Sequence, residues 1–431
     1  MIAKNIAVNE KGNLTFAGYD TVELKKKYGT PLYLLDEERI KENCRIYKSA
    51  LAESLGESAL PLYAGKALCI LAIYKIMAEE KMGIDVVSPG EIYTAKTANF
   101  PMERAYFHGN NKTDADIAFA MDSGVGYFVC DSTEELEAIE KEAEKRKIKQ
   151  KILIRVAPGI DPHTHKAIST GSVDSKFGAA IETGSAKALT SLALTKKNVE
   201  LCGFHCHIGS QIFETEPFCS AADIMLGFAA EMRSTFGYTA REINLGGGIG
   251  VKYLESHPDI NVADYIKEVA DHIKTACKRL DFPLPAIRLE PGRSIVADAG
   301  MTLYSAGTVK RIEGFKNYLS VDGSMADNPR YALYQSPYTV LLANKMNEKA
   351  DFECSVVGRC CESGDIIQEN VKIPTPERDD TVAVLTTGAY NYSMASNYNR
   401  IPRPPVVLLT KNGERIAVKR ESFEDLIKNE I

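Results

Sequence analysis

The sequence predicts an α/β protein: a closed (β/α)8 barrel of the TIM type, with a C-terminal all-β domain that also takes the N-terminal strand segment. Three observations carry that expectation. Eight short apolar runs alternate with segments of helical period between residues 61 and 292. After about residue 300 the texture changes to β-rich segments separated by turn signals. Residues able to carry chemistry recur at one relative position, the end of each apolar run.

The eight runs are PLYAGK (61–66), GIDVVS (83–88), RAYFHG (104–109), GYFVCD (126–131), KILIRVAP (151–158), LCGFHCHIG (201–209), EINLGGG (242–248) and AIRLEPG (286–292). Each is short, buried in character and rich in β-branched or aromatic residues, as strands of a parallel sheet are. Between them lie stretches with helical spacing, such as LCILAIYKIMAEEKM, TEELEAIEKEAEKRK and DYIKEVADHIKTACKRL. Parallel strands need such crossovers, and eight units close a barrel. The charged stretch 133–149 reads as the solvated face of one barrel helix. Beyond residue 300, SAGTVKRIEG, KNYLSVDG, FECSVVGRCCESGD, TVAVLTTG and PVVLLTKNGERIAVKR read as strands, with a hairpin turn at Asn412-Gly413. GNLTFAGYD, near the start, is expected to add a strand to this domain. The predicted division is a barrel over 32–299, with 1–31 and 300–431 forming the β-rich domain.

Composition narrows the function. The chain of 431 residues is 45% hydrophobic and 26% charged, with a net charge of -6. That balance gives no strong attraction to nucleic acid or to an anionic membrane. No apolar run reaches the length of a membrane span, and the first residues, MIAKNIAVNEKGNL, lack a signal-peptide core. Ten scattered cysteines form no CxxC pair, so reduced thiols in the cytoplasm and no structural metal are expected.

Active-site groups of a barrel sit at the C-terminal ends of its strands. Here those ends carry Lys66, Asp85 with Ser88, His108, Asp131, Arg155, His205 with His207, Gly246 to Gly248, and Glu290 to Arg293. The loops after strands seven and eight, where a barrel commonly binds phosphate, read GGGIG and EPGRS. Glycines let backbone N–H groups approach an anion closely. GGGIG does not match the spacing of a dinucleotide fingerprint, and VKYLESHPD is a poor helix start. A phosphate site and a lysine at one barrel mouth point to pyridoxal 5'-phosphate, whose aldehyde takes a lysine as a Schiff base. His207 would lie against the ring. Glu290 would pair with the ring nitrogen and keep it protonated, which favours decarboxylation over racemisation.

The set YAGKA, GFHCHIGSQ, NLGGGIG, EPGRS, GRCCESGD and GAYNYSMASNYN resembles the diaminopimelate decarboxylases, pyridoxal phosphate enzymes of the alanine-racemase-like barrel class. The resemblance runs from Thr30-Pro31-Leu32-Tyr33 to about Val407. It implies decarboxylation of meso-2,6-diaminopimelate at its D-centre to L-lysine and CO2, the last step of lysine biosynthesis. The alternative is a related decarboxylase of a carboxylated polyamine or another basic amino acid, or a non-catalytic homologue that binds the cofactor. The implied catalytic residues are Lys66 and Cys361. Cofactor contacts would come from Lys66, His207, Ser210, Gly247, Gly248, Glu290, Pro291, Gly292, Arg293 and Tyr390. Substrate contacts would come from Arg293, Arg330, Tyr334, Glu362 and Tyr390. Cys361 would reach the site from a second subunit, which implies a homodimer with shared active sites. The stretch 160–178 (IDPHTHKAISTGSVDSKFG) is a candidate lid. Three positions depart from the family pattern: Tyr331 where proline is frequent, Arg359 where the family often has proline, and Asn391 where glycine is usual.

Overall fold

The structure is a computed structural model and describes residues 2–160 and 175–431. The candidate lid falls largely on 161–174, outside the described residues. The chain forms two compact units. One comprises Asn43–Gly250 and Ile260–Gly292; the other comprises Met1–Glu42, Val251–Asp259 and Arg293–Ile431.

The first unit is the expected barrel. Its strands are β1 (Leu60–Ala64), β2 (Gly83–Val86), β3 (Ala105–Phe107), β4 (Tyr127–Cys130), β5 (Gln150–Ala157), β6 (Val199–His205), β7 (Glu242–Asn244) and β8 (Ala286–Leu289). Each pairs in parallel with the next, and β8 pairs with β1, closing the sheet. Ala179–Ala180 adds a short parallel strand beside β5. Leu62, Tyr106, Val129 and Leu153 pack together at 2% exposure or less. Tyr106 donates a 2.9 Å hydrogen bond to Glu242, the first residue of β7, and Glu242 lies 2.8 Å from Arg288. The crossover helices start where side chains satisfy their free N–H groups. Ser88, Thr113, Ser132 and Asn261 each cap one. Ser88 is thereby explained as a cap on the helix Pro89–Thr97.

The second unit is built on a nine-stranded sheet. The long strand Gly300–Ile312 pairs antiparallel with Lys316–Val321, Thr381–Leu385 and Leu32–Asp36. Leu32–Asp36 pairs on its other side with Val406–Thr410, which turns at Asn412-Gly413 into Gly413–Val418. Residues 32–36 therefore form a strand of the β unit, where the sequence placed the start of the barrel. The junction falls within the helix Glu37–Leu55. GNLTFAGYD pairs with Ile6–Val8 in a separate three-stranded sheet. Its Leu14 and Phe16 pack with Leu32, Leu34, Leu303, Leu385 and Val407 in one core. Val251–Asp259, between barrel elements in sequence, also belongs to this unit.

Candidate active site

At the C-terminal end of β1 the chain makes one tight turn, Gly65–Ala67, which leaves Lys66 exposed. The end of β8 lies beside that turn. Ala64 N–H donates to the Pro291 carbonyl at 3.1 Å, and a Cβ on Gly292 would sit 2.9 Å from Ala64 Cβ and 3.1 Å from Ala67 Cβ. Glycine at 292 is required by this close approach.

Glu290 is 6% exposed and collects three side-chain partners. Asn244 Nδ2 donates to Oε1 at 2.7 Å, His108 Nε2 lies 3.0 Å from Oε1, and His205 Nε2 lies 3.1 Å from Oε2. The two imidazoles pack edge to face with centroids 4.8 Å apart. Burial alone would raise the Glu290 pKa. His108 and His205 overcome it and hold the carboxyl well below its ordinary range. Burial pushes His205 down to about 4, so it is neutral near pH 7. Asp85 is also buried, with Oδ1 3.8 Å from His108 Nε2. Burial raises its pKa against the pull of His108. The ligand atoms of His108, His205 and Glu290 lie within 4.8 Å of one another, a spacing that also suits a metal ion.

The loop after β7 runs under His207. Gly247 N–H donates to His207 Nδ1 at 3.3 Å, which puts that ring's proton on Nε2. The packing around His207, with the charges of Lys66 and Arg155, pushes its pKa well below the ordinary value. Gly246 has φ +70°, and a Cβ on Gly247 would lie 2.0 Å from the Glu290 carbonyl oxygen. No larger residue fits there without moving β8. Ser210 follows on the loop after β6 and is half-buried. Arg155 stacks on Phe177 at 4.4 Å, and Asp131 accepts from Gly178 N–H at 2.8 Å.

The second unit gathers the arginines. Arg330 is 3% exposed, lies over the rings of Tyr253 (4.4 Å) and Tyr338 (5.1 Å), and keeps Nη1 without a hydrogen-bond partner among the described residues. Arg293 donates to Tyr253 Oη at 3.0 Å and stacks on Tyr390 at 4.7 Å. Burial would raise the Tyr253 pKa, but the two guanidiniums lower it. Thr339 Oγ1 donates to the Tyr253 carbonyl at 2.8 Å, tying down the Val251–Asp259 excursion. Tyr390 has φ +63°, a costly backbone for a tyrosine. Asn391 has φ -99°, which needs no glycine, and its Oδ1 accepts from Tyr338 Oη at 3.0 Å. Tyr331 donates to Glu369 at 2.9 Å. Tyr334 is half-buried at the end of the short helix Arg330–Tyr334.

Cys361 and Glu362 are both exposed, on a loop organised by Asp365. Asp365 accepts from Cys360 N–H at 2.7 Å and Met325 N–H at 2.6 Å. A Cβ at Gly358 would strike its carboxylate at 2.3 Å. Cys361 N–H donates to Asn399 Oδ1 at 2.7 Å. Burial raises the Cys360 thiol pKa.

Within the barrel unit, the predicted residues Lys66, His207, Gly247, Gly248, Glu290, Pro291 and Gly292 therefore share one end. Within the β unit, Arg293, Arg330 and Tyr390 share one aromatic cluster, whereas Cys361 and Glu362 lie on the exposed loop. Tyr253, Tyr338, Asn244 and Asp365 were not singled out from sequence. Asn244 carried one legible signal, its place as the last strand residue before the glycines.

Residues 37–297 match the family model described as the pyridoxal-dependent decarboxylase, pyridoxal binding domain. The chain is 44% identical over 421 residues to a diaminopimelate decarboxylase of Halalkalibacterium halodurans, covering 98% of this chain and 96% of that protein. It is 41% identical over 420 residues to a diaminopimelate decarboxylase of Bacillus subtilis, covering 97% and 95%. The fold matches the crystal structure of the M. jannaschii diaminopimelate decarboxylase in complex with L-lysine. The TM-score is 0.92 at 33% identity, over 100% of this chain and 98% of that one.

Proposed function

The chain belongs to the diaminopimelate decarboxylase family of pyridoxal-dependent decarboxylases, and from that membership we propose that it converts meso-2,6-diaminopimelate, at its D-centre, to L-lysine and CO2 as the last step of lysine biosynthesis. The observation that carries the reading is Glu290, a buried carboxylate kept ionised at the barrel mouth beside the Lys66 turn and a glycine cradle. Those features suit pyridoxal phosphate: a carboxylate for a protonated ring nitrogen, backbone N–H groups for phosphate and an amine for the aldehyde. When bound, the cofactor supplies an electron sink for the pair left behind by departing CO2.

The chain's own residues do the rest. Lys66 would hold the cofactor through its aldehyde, and Glu290 would keep the ring nitrogen protonated. His207, neutral and fixed by Gly247, covers the ring face. Ser210, Gly247, Gly248, Pro291, Gly292, Arg293 and Tyr390 bind the phosphate side. Arg293, Arg330, Tyr334 and Tyr390 hold substrate carboxylates, and the unpartnered Arg330 Nη1 supports that role. Glu362 holds the distal ammonium, so only one α-carbon is presented for reaction. Cys361 delivers the proton that replaces CO2. Its exposure in the single chain supports delivery into the site of a second copy, and hence a homodimer with shared sites. Among the described residues no helix is long and apolar enough to cross a membrane. With ten free cysteines, this supports a cytoplasmic enzyme. His205 serves here as a donor to Glu290, with His108 beside it, rather than as a metal ligand.

The test is to incubate the purified protein and pyridoxal phosphate with meso-diaminopimelate and assay L-lysine and CO2 together. One-for-one appearance is expected. Absence of both, in protein that still binds the cofactor, would redirect the assignment to carboxylated polyamines.

A further inference from the structure

Two imidazoles and an amide converge on Glu290, and the role proposed for that carboxylate does not by itself explain why three side chains are spent on it. An ionised carboxylate offers about four acceptor sites. Asn244 Nδ2 at 2.7 Å takes one on Oε1, and His108 Nε2 lies 3.0 Å from the same oxygen as a close polar contact without an aligned hydrogen bond. His205 Nε2 at 3.1 Å takes one of the two on Oε2. We propose that His205 and Asn244 are positioning residues, one donor on each oxygen, that lock Glu290 as an anion with His108 packed beside it and leave acceptor capacity on Oε2 for the protonated ring nitrogen of the cofactor. The inference rests on the reading of Glu290 given above.

The proton positions follow from the acceptor. A carboxylate only accepts, so the His205 imidazole presents Nε2–H to it. His205 Nδ1 is buried with no acceptor beside it among the described residues, which favours a neutral ring protonated on Nε2 alone. His205 and Asn244 are thus neutral donors. They hold the carboxylate ionised without cancelling its charge, which a guanidinium in their place would do. The geometry is fixed on all sides. His108 is pinned by its backbone N–H to the Val86 carbonyl at 2.8 Å, and its ring packs edge to face on His205. Asn244 Oδ1 accepts from Gly246 N–H at 2.9 Å, so the amide that grips Glu290 also holds the glycine loop. The other titratable groups that act on this cluster include Asp85, Glu91, Lys66, Arg155, Cys206 and His207.

The test compares holoenzyme variants His205→Leu, which removes the donor, and His205→Gln, whose side-chain amide restores an N–H near Nε2. Three quantities are read: the pH dependence of the bound cofactor's absorption, the cofactor Kd on reconstitution, and kcat against KM. Losing a donor to the anion raises the Glu290 pKa. In His205→Leu the acid limb of kcat and the linked absorption change should move to higher pH. At neutral pH kcat should fall roughly 10- to 100-fold, the size of one charged hydrogen bond, with substrate KM unchanged. His205→Gln should recover most of both. If His205→Leu does not fold, Asn244→Ala is expected to move the limb in the same direction. An unmoved limb in the leucine or alanine variant, or an equal shift in the glutamine variant, overturns the lock. Glu290→Gln separates the two levels. If it changes cofactor absorption and turnover while the donor variants do not, the lock alone fails. If it changes nothing, the role of Glu290 itself fails.

Discussion

Acid should destabilise the cofactor-free protein through His205 in particular. The imidazole is 1% exposed, and its pKa is pushed from 6.5 to about 4, first by burial and then by the neighbouring His108 and Arg155, with Glu290 pulling the other way. In the unfolded chain it titrates near the ordinary value of about 6.5. Between those two values the unfolded chain carries a proton that the folded chain does not, so unfolding takes up a proton. Stability is therefore fully present above about pH 6.5 and is lost as pH falls toward 4. At about 1.36 kcal/mol per pH unit, that interval amounts to about 3 kcal/mol for this one group. Glu290, also held below its ordinary value, adds a loss of the same sign, but only below about pH 4.5. The measurement is urea unfolding of the apoprotein between about pH 7 and pH 4.5, comparing the native chain with His205→Gln, which cannot titrate. The glutamine variant should show a slope shallower by about one proton, and the two curves should converge toward low pH. Parallel curves would refute the reasoning, because the variant shares every other titrating group.

Four further outcomes are expected. Lys66→Ala should have no turnover and should retain no cofactor after borohydride reduction, as read by mass spectrometry. Glu242→Ala should leave Arg288 inside the barrel without its 2.8 Å partner and cost about 3 kcal/mol of stability, with Glu242→Gln costing less; thermal unfolding decides it. Arg330→Lys should raise the KM for diaminopimelate about tenfold or more with cofactor absorption unchanged, since lysine keeps the charge but loses the planar stacking on Tyr253 and Tyr338. Cys361→Ser should lower kcat without disturbing cofactor binding. Mixed and reassembled with Lys66→Ala, it should regain up to about a quarter of native activity, as a site shared across a symmetric dimer requires; no recovery would place Cys361 in its own chain's site.

The barrel was legible because every strand announces itself locally. KILIRVAP is a buried run closed by a proline, and it folds as Gln150–Ala157. EINLGGG is a strand only through Asn244, because Gly246 turns the chain at φ +70° and the glycines serve the loop. Leu32–Asp36 shows where local reading stops. It is a short buried run directly before a helix, which is how a barrel strand looks, yet its partners are Gly300–Ile312 and Val406–Thr410. Nothing local encodes a pairing across that distance. The same holds for Tyr253, which reads as loop and earns its place only through Arg293, Arg330 and Thr339. His108 and His205 stood out as members of a polar ring, but their shared target, Glu290, is visible only in three dimensions.

The two ends of the barrel treat buried polar groups in opposite ways. Glu242, at the start of β7, is matched by Arg288 and Tyr106, as a group kept for stability should be. At the other end, Asp85 Oδ1, His108 Nε2, Asp131 Oδ1 and His205 Nδ1 are buried with no hydrogen-bond partner among the described residues. Each such atom costs free energy that folding alone would have removed by substitution. Retaining them at one end, beside an ionised Glu290 that still has an acceptor site to offer, is the signature of a surface shaped for a polar ligand rather than for its own stability. That contrast locates the reacting end of the barrel from its physics, and it agrees with the end at which Lys66 leaves β1.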